Sequence, residues 1–275
     1  MSESHLGVSD VSAPKDAALT LVVPCFNEAA RLDGAAFRAA LQRDAWLRVL
    51  FVDDGSTDDT AVMLDNLAAS VPNRISVLHL ARNSGKAEAV RQGLAQAMTQ
   101  SALCGFWDAD LAAPLEEVAS LRQLLCERPT IDWVFGIRLR ALGRNIHRRA
   151  LRHYLGRLFA TCSSILLGID SYDTQCGAKL FRSTSLLQEV LSTPFRSRWI
   201  FDVEMLTRAV FVLSNTTRRL TDVVYEAPLA QWEHRSGSKV RPGDFVRACM
   251  ELLHLRRERA HWRPALPPIT RPTRP

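Results

Sequence analysis

The 275-residue sequence is short of several features that would decide its class at once. No apolar run approaches the ~20 residues that a membrane-spanning helix needs. The N-terminus has no apolar h-region, so a secretory leader is not expected. The six cysteines lie apart, at positions 25, 104, 126, 162, 176 and 249, with no C-x-x-C pair. That spacing argues against a zinc site or a disulfide framework and for reduced, packed thiols. Neither G-x-x-x-x-G-K nor G-x-G-x-x-G occurs, which excludes a P-loop enzyme and an ordinary dinucleotide-binding dehydrogenase. No internal repeat is found. Residues 1–18 read as a disordered leader, and residues 261–275 as a Pro/Arg-rich tail.

What is present is an uneven charge. The formal net charge is +6. Between Arg138 and Arg157 stand seven arginines, two histidines and no acid, while most acids precede them. The asymmetry points to anionic partners such as nucleotide phosphates or a lipid headgroup layer. Acids grouped at strand ends would repel a nucleic-acid backbone, so nucleic acid is not expected.

Short apolar runs alternate with helical patterns through the first half. Strands are expected at 18–24, 49–53, 75–80, 102–107 and 131–136. Helices are expected at 33–43, 61–70, 85–98 and 114–127. Such alternation predicts an α/β fold with a mostly parallel central sheet flanked by helices. After residue 137 the alternation stops. One or two basic helices are expected over 146–167, a strand and turn over 217–230, and a basic helix over 245–259.

Ligands of parallel α/β sheets bind beyond the carboxyl ends of the strands. Asn27-Glu28, Asp53-Asp54 and Asp108-Ala109-Asp110 all fall there. Asp108 and Asp110 are two apart, so on extended chain both carboxylates point to one side. Two anions aimed at one point call for a cation between them, and hard oxygen donors suit Mg2+ or Mn2+. Asp58, Asp59 and Thr60 read as helix-capping residues. Lys86 stands near a helix start, where a phosphate can be met.

Four motifs together carry a family resemblance. Pro24-Cys25-Phe26-Asn27-Glu28, Val52 to Asp58, Asn83-x-Gly85-Lys86 and Asp108-Ala109-Asp110 resemble the inverting family 2 glycosyltransferases of GT-A fold. Narrower blocks resemble the dolichyl- or polyprenyl-phosphate beta-glucosyltransferase branch. They are Gly136-Ile137-Arg138, Asp173 to Phe181, Arg198 to Glu204, and Gly237-Ser238-Lys239. The resemblance spans about residues 19–260. It implies one catalytic domain, with a nucleotide-sugar half over 19–137 and an acceptor half over 138–260.

The resemblance also implies roles. Pro24, Asn27, Glu28, Asp53, Asp54, Lys86 and Asp108 would bind the nucleotide sugar, and Arg235, Ser238 and Lys239 would close over its diphosphate. Asp108 and Asp110 would hold Mg2+ or Mn2+. Ala112 stands where many relatives carry a polar residue, so water or phosphate oxygens would complete the metal's shell. Arg138, Lys179 and Asp202 would act in catalysis, with Asp202 as base or acceptor-orienting carboxylate. Gln175, Arg198 and Trp199 would face the acceptor. The implied donor is UDP-glucose and the implied acceptor a polyprenyl phosphate. The expected setting is cytoplasmic, with peripheral contact to an anionic membrane surface. A soluble acceptor, such as a sugar or a glycerate-like acid, is the alternative with the same fold and donor. A basic membrane-binding protein without turnover is the alternative of another class.

Overall fold

The computed structural model describes residues 17–139, 142, 145–147, 161, 163, 168, 171–198, 200–233, 248 and 250–257. The first half alternates as its periodicity requires. It runs β1 (Leu19–Cys25), α1 (Gly34–Arg43), β2 (Leu47–Asp53), α2 (Thr60–Ser70), β3 (Ile75–His79), α3 (Lys86–Met98), β4 (Leu103–Trp107), α4 (Glu116–Glu127) and β5 (Trp133–Ile137). The second half contributes β6 (Asn145–His147), β7 (Ala178–Arg182), α5 (Ser185–Leu191), α6 (Phe201–Leu213), α7 (Leu220–Val223), β8 (Val224–Pro228) and β9 (Gln231–Glu233).

Seven strands form one sheet in the order β3-β2-β1-β4-β7-β5-β8. Every pairing in it is parallel except those of β7, which runs antiparallel to both β4 and β5. Side chains alternate across the sheet with period two. Leu19, Leu21 and Val23 of β1 pack with α1, α2 and α4 on one face, while Val22 packs with α3, α5 and α6 on the other. Both faces are thus covered, which is why the inner strands read as unbroken apolar runs. The chain is an α/β protein with a mostly parallel central sheet between helical layers, the architecture that the GT-A resemblance implies.

Three expectations change in detail. Pro24 lies inside β1 rather than ending it, two residues past the last β4 pair at Val22. A helix starting at Ile146 does not form, because Asn145–His147 pairs with β9. The run 217–230 begins with the short helix α7, and the strand starts at Val224. Helical residues at 248 and 250–257 agree with the basic helix expected there. Most of 146–167, the leader and the tail lie outside the described residues. Among the described residues no helix is long and apolar enough to cross a membrane.

Candidate functional site

The polarity of β7 builds the site. An antiparallel strand begins where its parallel neighbours end. The start of β7 therefore lies at the carboxyl edge of β4, with Trp107 opposite Ala178. The two strands meet closely there. Asp108 N donates to the Gly177 carbonyl at 3.0 Å. A Cβ on Gly177 would fall 2.0 Å from an Asp108 carboxylate oxygen, so any other residue must push that carboxylate aside. Arg138 follows β5 at the same edge, and Asp202 opens α6 beside it.

Oppositely charged side chains interleave at this edge. In the sheet register Lys179 lies opposite both Phe106 and Phe135. Its ammonium sits 5.1 and 5.0 Å from the centres of those rings, fully buried. A buried lysine needs a counter-charge, and Asp202 supplies it at 2.7 Å. The Cys176 carbonyl accepts a further bond from the same ammonium. Lys86, the first residue of α3, pairs with Asp108 across the ring of Phe106. Arg138 grips Asp173 with two nitrogens at 2.6 Å each, and its backbone amide donates to the same carboxylate.

These neighbours set the acidities. Burial pushes Asp108 up, but Lys86, Lys179 and Arg138 outweigh it and hold the carboxyl below its ordinary value. Asp110 is raised, first by burial and then by the negative charge of Asp108. Asp202 is raised by burial against the opposing pull of Lys179 and Lys86. Lys86 is raised: burial opposes the charge, and Asp108 and Asp202 overcome it. Burial pushes the Cys176 thiol up to about 12, which makes it an inert packed residue.

The turn after β4 is under strain. Leu111 has φ 51°, a conformation that favours glycine. Such a residue costs about 1–3 kcal/mol unless its surroundings enforce it. The Leu111 amide donates to the Asp108 carbonyl, and the Ala112 amide donates to the Asp110 carboxylate at 3.1 Å. The turn thus presents both carboxylates toward the edge. Their donor chemistry, two hard anionic oxygens with the second raised by the first, fits a divalent cation. Among the described residues no three or more His, Cys, Asp or Glu side chains are grouped so as to hold a metal ion by themselves. A metal would take these two carboxylates and complete its shell from substrate and water, the usual habit of Mg2+.

The other strand-end acids are held by turn amides. Asp54 accepts from Ser84 N at 2.7 Å and Gly85 N at 2.8 Å, which ties the loop before α3 to the end of β2. Asp53 accepts from Ser56 N at 3.1 Å. Asn27, at φ 54°, accepts from Thr57 N at 2.8 Å on its side-chain oxygen, and its backbone amide donates to Ser56 Oγ at 3.0 Å. Glu28 is buried and ion-paired with Arg31, whose charge also acts on Asp110. Pro24 is half-buried in the strand above them.

The structure therefore gathers Asn27, Glu28, Asp53, Asp54, Lys86, Asp108, Asp110, Arg138, Lys179 and Asp202 along one sheet edge. Gln175 and Arg198 are exposed. Arg198 is near enough for its charge to act on Asp54. Trp199, Arg235, Ser238 and Lys239 lie outside the described residues.

Sequence reasoning gave no role to Arg31, Asp173, His79 or Glu204. Glu204 is fully buried. It accepts from Arg196 N, from Ser197 N and Oγ at 2.8 Å each, and from Arg208 at 2.7 Å. Arg208 also binds the carbonyls of Val190, Thr193 and Pro194. The pair therefore fixes the loop that carries Arg198. Its sequence signals are the Arg198-to-Glu204 block, which says nothing of Arg208, and the i, i+4 spacing of Glu204 and Arg208 in a mostly apolar helix.

The family model described as "Glycosyl transferase family 2" matches residues 20–188. A dolichyl-phosphate beta-glucosyltransferase of Drosophila melanogaster is 30% identical over 82% of this chain and 69% of its own. A dolichyl-phosphate beta-glucosyltransferase of Trichomonas vaginalis is 28% identical over 89% of this chain and 72% of its own. The solved glucosyl-3-phosphoglycerate synthase of Mycobacterium tuberculosis, in complex with Mn2+, UDP-glucose and phosphoglyceric acid, superposes with a TM-score of 0.62. It is 19% identical over 89% of this chain and 80% of its own, a likeness of fold.

Proposed function

The chain belongs to the glycosyl transferase family 2 enzymes, and from that premise we propose that it moves a hexose from a UDP-sugar, UDP-glucose first, to an anionic acceptor with inversion. The observation that carries the reading is the convergence of Asp108, Asp110 and Asp202 with Lys86, Lys179 and Arg138 at one sheet edge. A departing nucleoside diphosphate needs its charge neutralised, and fixed cations beside hard oxygen donors do this. Asp110 and Asp108 would hold Mg2+ or Mn2+, which when bound supplies Lewis-acid neutralisation of the diphosphate. Lys86 stands by as a second cation. Asn27, Glu28, Asp53 and Asp54 line the nucleoside end, with Pro24 above them. Arg235, Ser238 and Lys239 remain candidates for closing over the diphosphate.

On the acceptor side the reading gives Asp202 the attacking group. A hydroxyl acceptor attacks the anomeric carbon from the face opposite UDP, its proton passes to Asp202, and the bond to UDP breaks. Lys179 keeps Asp202 oriented in the low-dielectric floor of the site. Arg138, Gln175, Arg198 and Trp199 would face the acceptor's anionic end. A phosphate acceptor is mostly ionised near neutrality, its second pKa being about 6, and needs a base less.

Two acceptor classes share this chemistry. A soluble acid is supported by the fold likeness to an enzyme solved with phosphoglyceric acid. A polyprenyl phosphate, reached by peripheral contact with an anionic membrane surface, is supported by relatives named for dolichyl phosphate. The outward side of the helix at 250–257 presents Met250 and Leu253, 59% and 49% exposed, beside arginines. Such a surface suits lipid contact.

The test is release of UDP, compared with GDP from GDP-mannose, in the presence of Mg2+ or Mn2+. The acceptors are phosphoglycerate, glycerate and a short-chain prenyl phosphate. UDP release that depends on one of these acceptors supports the reading and assigns the class. Sugar-nucleotide turnover with none of them, or with GDP-mannose alone, overturns it.

A further inference from the structure

Asp53 has one carboxylate oxygen on the Ser56 amide, and its other oxygen faces a histidine. His79 ends β3 and lies directly opposite Asp53 in the sheet register. Its Nδ1 is 3.2 Å from Asp53 Oδ2, and its Nε2 is 3.0 Å from Asp65 Oδ1 on α2. An ionised carboxylate only accepts hydrogen bonds, and a neutral imidazole has a single N–H to give. With neutral His79, one of the two contacts would set a lone pair against a carboxylate. Both contacts are satisfied together only when His79 is an imidazolium.

The surroundings favour that charge. Among the described residues no lysine or arginine pairs with Asp53 or Asp65. The charged groups in contact with His79 are Asp53 from β2 and Asp65 from α2. Asp54, next along, has its carboxylate taken by the Ser84 and Gly85 amides. Burial works against the imidazolium, yet the bonds to Asp65 and Asp53 outweigh it and raise the His79 pKa.

We propose that His79 is a positioning residue for the nucleotide end of the site: as an imidazolium clamped between Asp53 and Asp65, it fixes the orientation in which Asp53 meets a uridine nucleotide. The proposal rests on the reading that a UDP-sugar binds at this edge. When His79 loses its proton, one contact opens. The Asp65 side chain, 62% exposed, turns into water at little cost. The Asp53 side chain, 6% exposed, keeps a neutral and weaker donor. Loss of the proton also removes a positive charge next to Asp53, at the end of the site that would take a dianionic ligand. Donor binding therefore weakens as pH rises through the His79 pKa, which stands above the ordinary histidine value of about 6.5.

Two measurements on the full chain test this. The first is NMR titration of the histidine rings without ligand, with the His79 signal assigned by its loss in His79→Gln. The expected result is a ring doubly protonated past the ordinary histidine pKa, and a lower transition in Asp65→Asn. The second is calorimetry with UDP-glucose and Mg2+ from about pH 5.5 to about pH 8.5. UDP-glucose suits this because its diphosphate is a diester with no proton to lose in that range. The wild type should lose about fivefold in affinity across the His79 transition, the lower end of ordinary coupling between sites. His79→Gln should bind weakly and without that dependence. In turnover, His79→Gln should raise KM for UDP-glucose and leave kcat at saturating donor unchanged, a split that general structural damage does not produce.

An ordinary or lowered His79 pKa, or the same pH dependence in wild type and His79→Gln, overturns the clamp while leaving the family reading standing. Failure of UDP-glucose to bind at any pH overturns the donor assignment and the positioning role with it, even where the NMR titration shows the imidazolium.

Discussion

The two halves of the site hold their charged groups in different ways. Before residue 137 two of the strand-end acids rest on main-chain amides of turns: Asp54 on Ser84 and Gly85, Asp53 on Ser56. Beyond it the charges hold one another across the fold: Arg138 with Asp173, Lys179 with Asp202, Glu204 with Arg208. An amide-held carboxylate loses hydrogen bonds when neutralised. A buried ion pair that loses one member leaves an uncompensated charge, which costs several kcal/mol. The amide-held acids Asp53 and Asp54 should therefore tolerate charge removal better than the buried ion pairs of the acceptor half.

The largest expected effect is at the buried pair of α6. Glu204→Ala strands Arg208 and the amides of Arg196 and Ser197, and should cost about 3–5 kcal/mol in urea unfolding. A loss below about 1 kcal/mol would remove the contrast between the halves. Asp202→Ala should lower kcat by about 10³ with UDP-glucose affinity unchanged, within the range for a positioned base. A near-normal rate with a hydroxyl acceptor would remove Asp202 from the chemistry.

Gly177→Ala probes the seam between the halves. The added Cβ must displace the Asp108 carboxylate, and a misplacement of that order costs about 100-fold in rate. Unchanged turnover would mean that the placement of Asp108 is not critical. Asp54→Asn should cost less than the Glu204 change, about 1–3 kcal/mol, because its amide partners are left partly satisfied. A loss equal to that of Glu204→Ala would erase the difference between amide-held and ion-paired acids.

The smallest effect is at a partly buried pair on α3. Hydrogen bonds from Arg91 hold Glu88 below its ordinary pKa against the opposing effect of burial. The stability from this pair is complete above the ordinary glutamate pKa and disappears as pH falls through the lowered value. Glu88→Gln should therefore cost about 0.5 kcal/mol at neutral pH and nothing well below the carboxylate range. An undiminished cost in acid would assign the effect to packing instead of charge.

The same contrast explains what could be read from the sequence. Asp53, Asp54, Asp108 and Asp110 announce themselves by closely following apolar runs, and the five-strand alternation around them follows from periodicity. β7 was not legible as a strand. Its five residues, Ala178–Arg182, include Lys179 and Arg182, and charges in a fully buried strand run against the pattern. Only the antiparallel register shows that Lys179 has two aromatic neighbours and Asp202 as its counter-ion. The start of α6 is equally silent, since Ile200 offers no side-chain cap. The pairing of β6 with β9 joins residues more than eighty positions apart and leaves a three-residue strand inside what reads as a helix. Asp173 and His79 act through partners 35 and 26 positions away in the chain, which spacing alone does not reveal.

The most direct test of the account is calorimetry of UDP-glucose with wild type and Asp110→Asn, each with Mg2+ or Mn2+ and again with EDTA. Wild-type binding should fall at least about tenfold on chelation, and the variant's weaker binding should no longer respond to the metal. Absence of binding in the wild type, or binding indifferent to both metal and substitution, would contradict it.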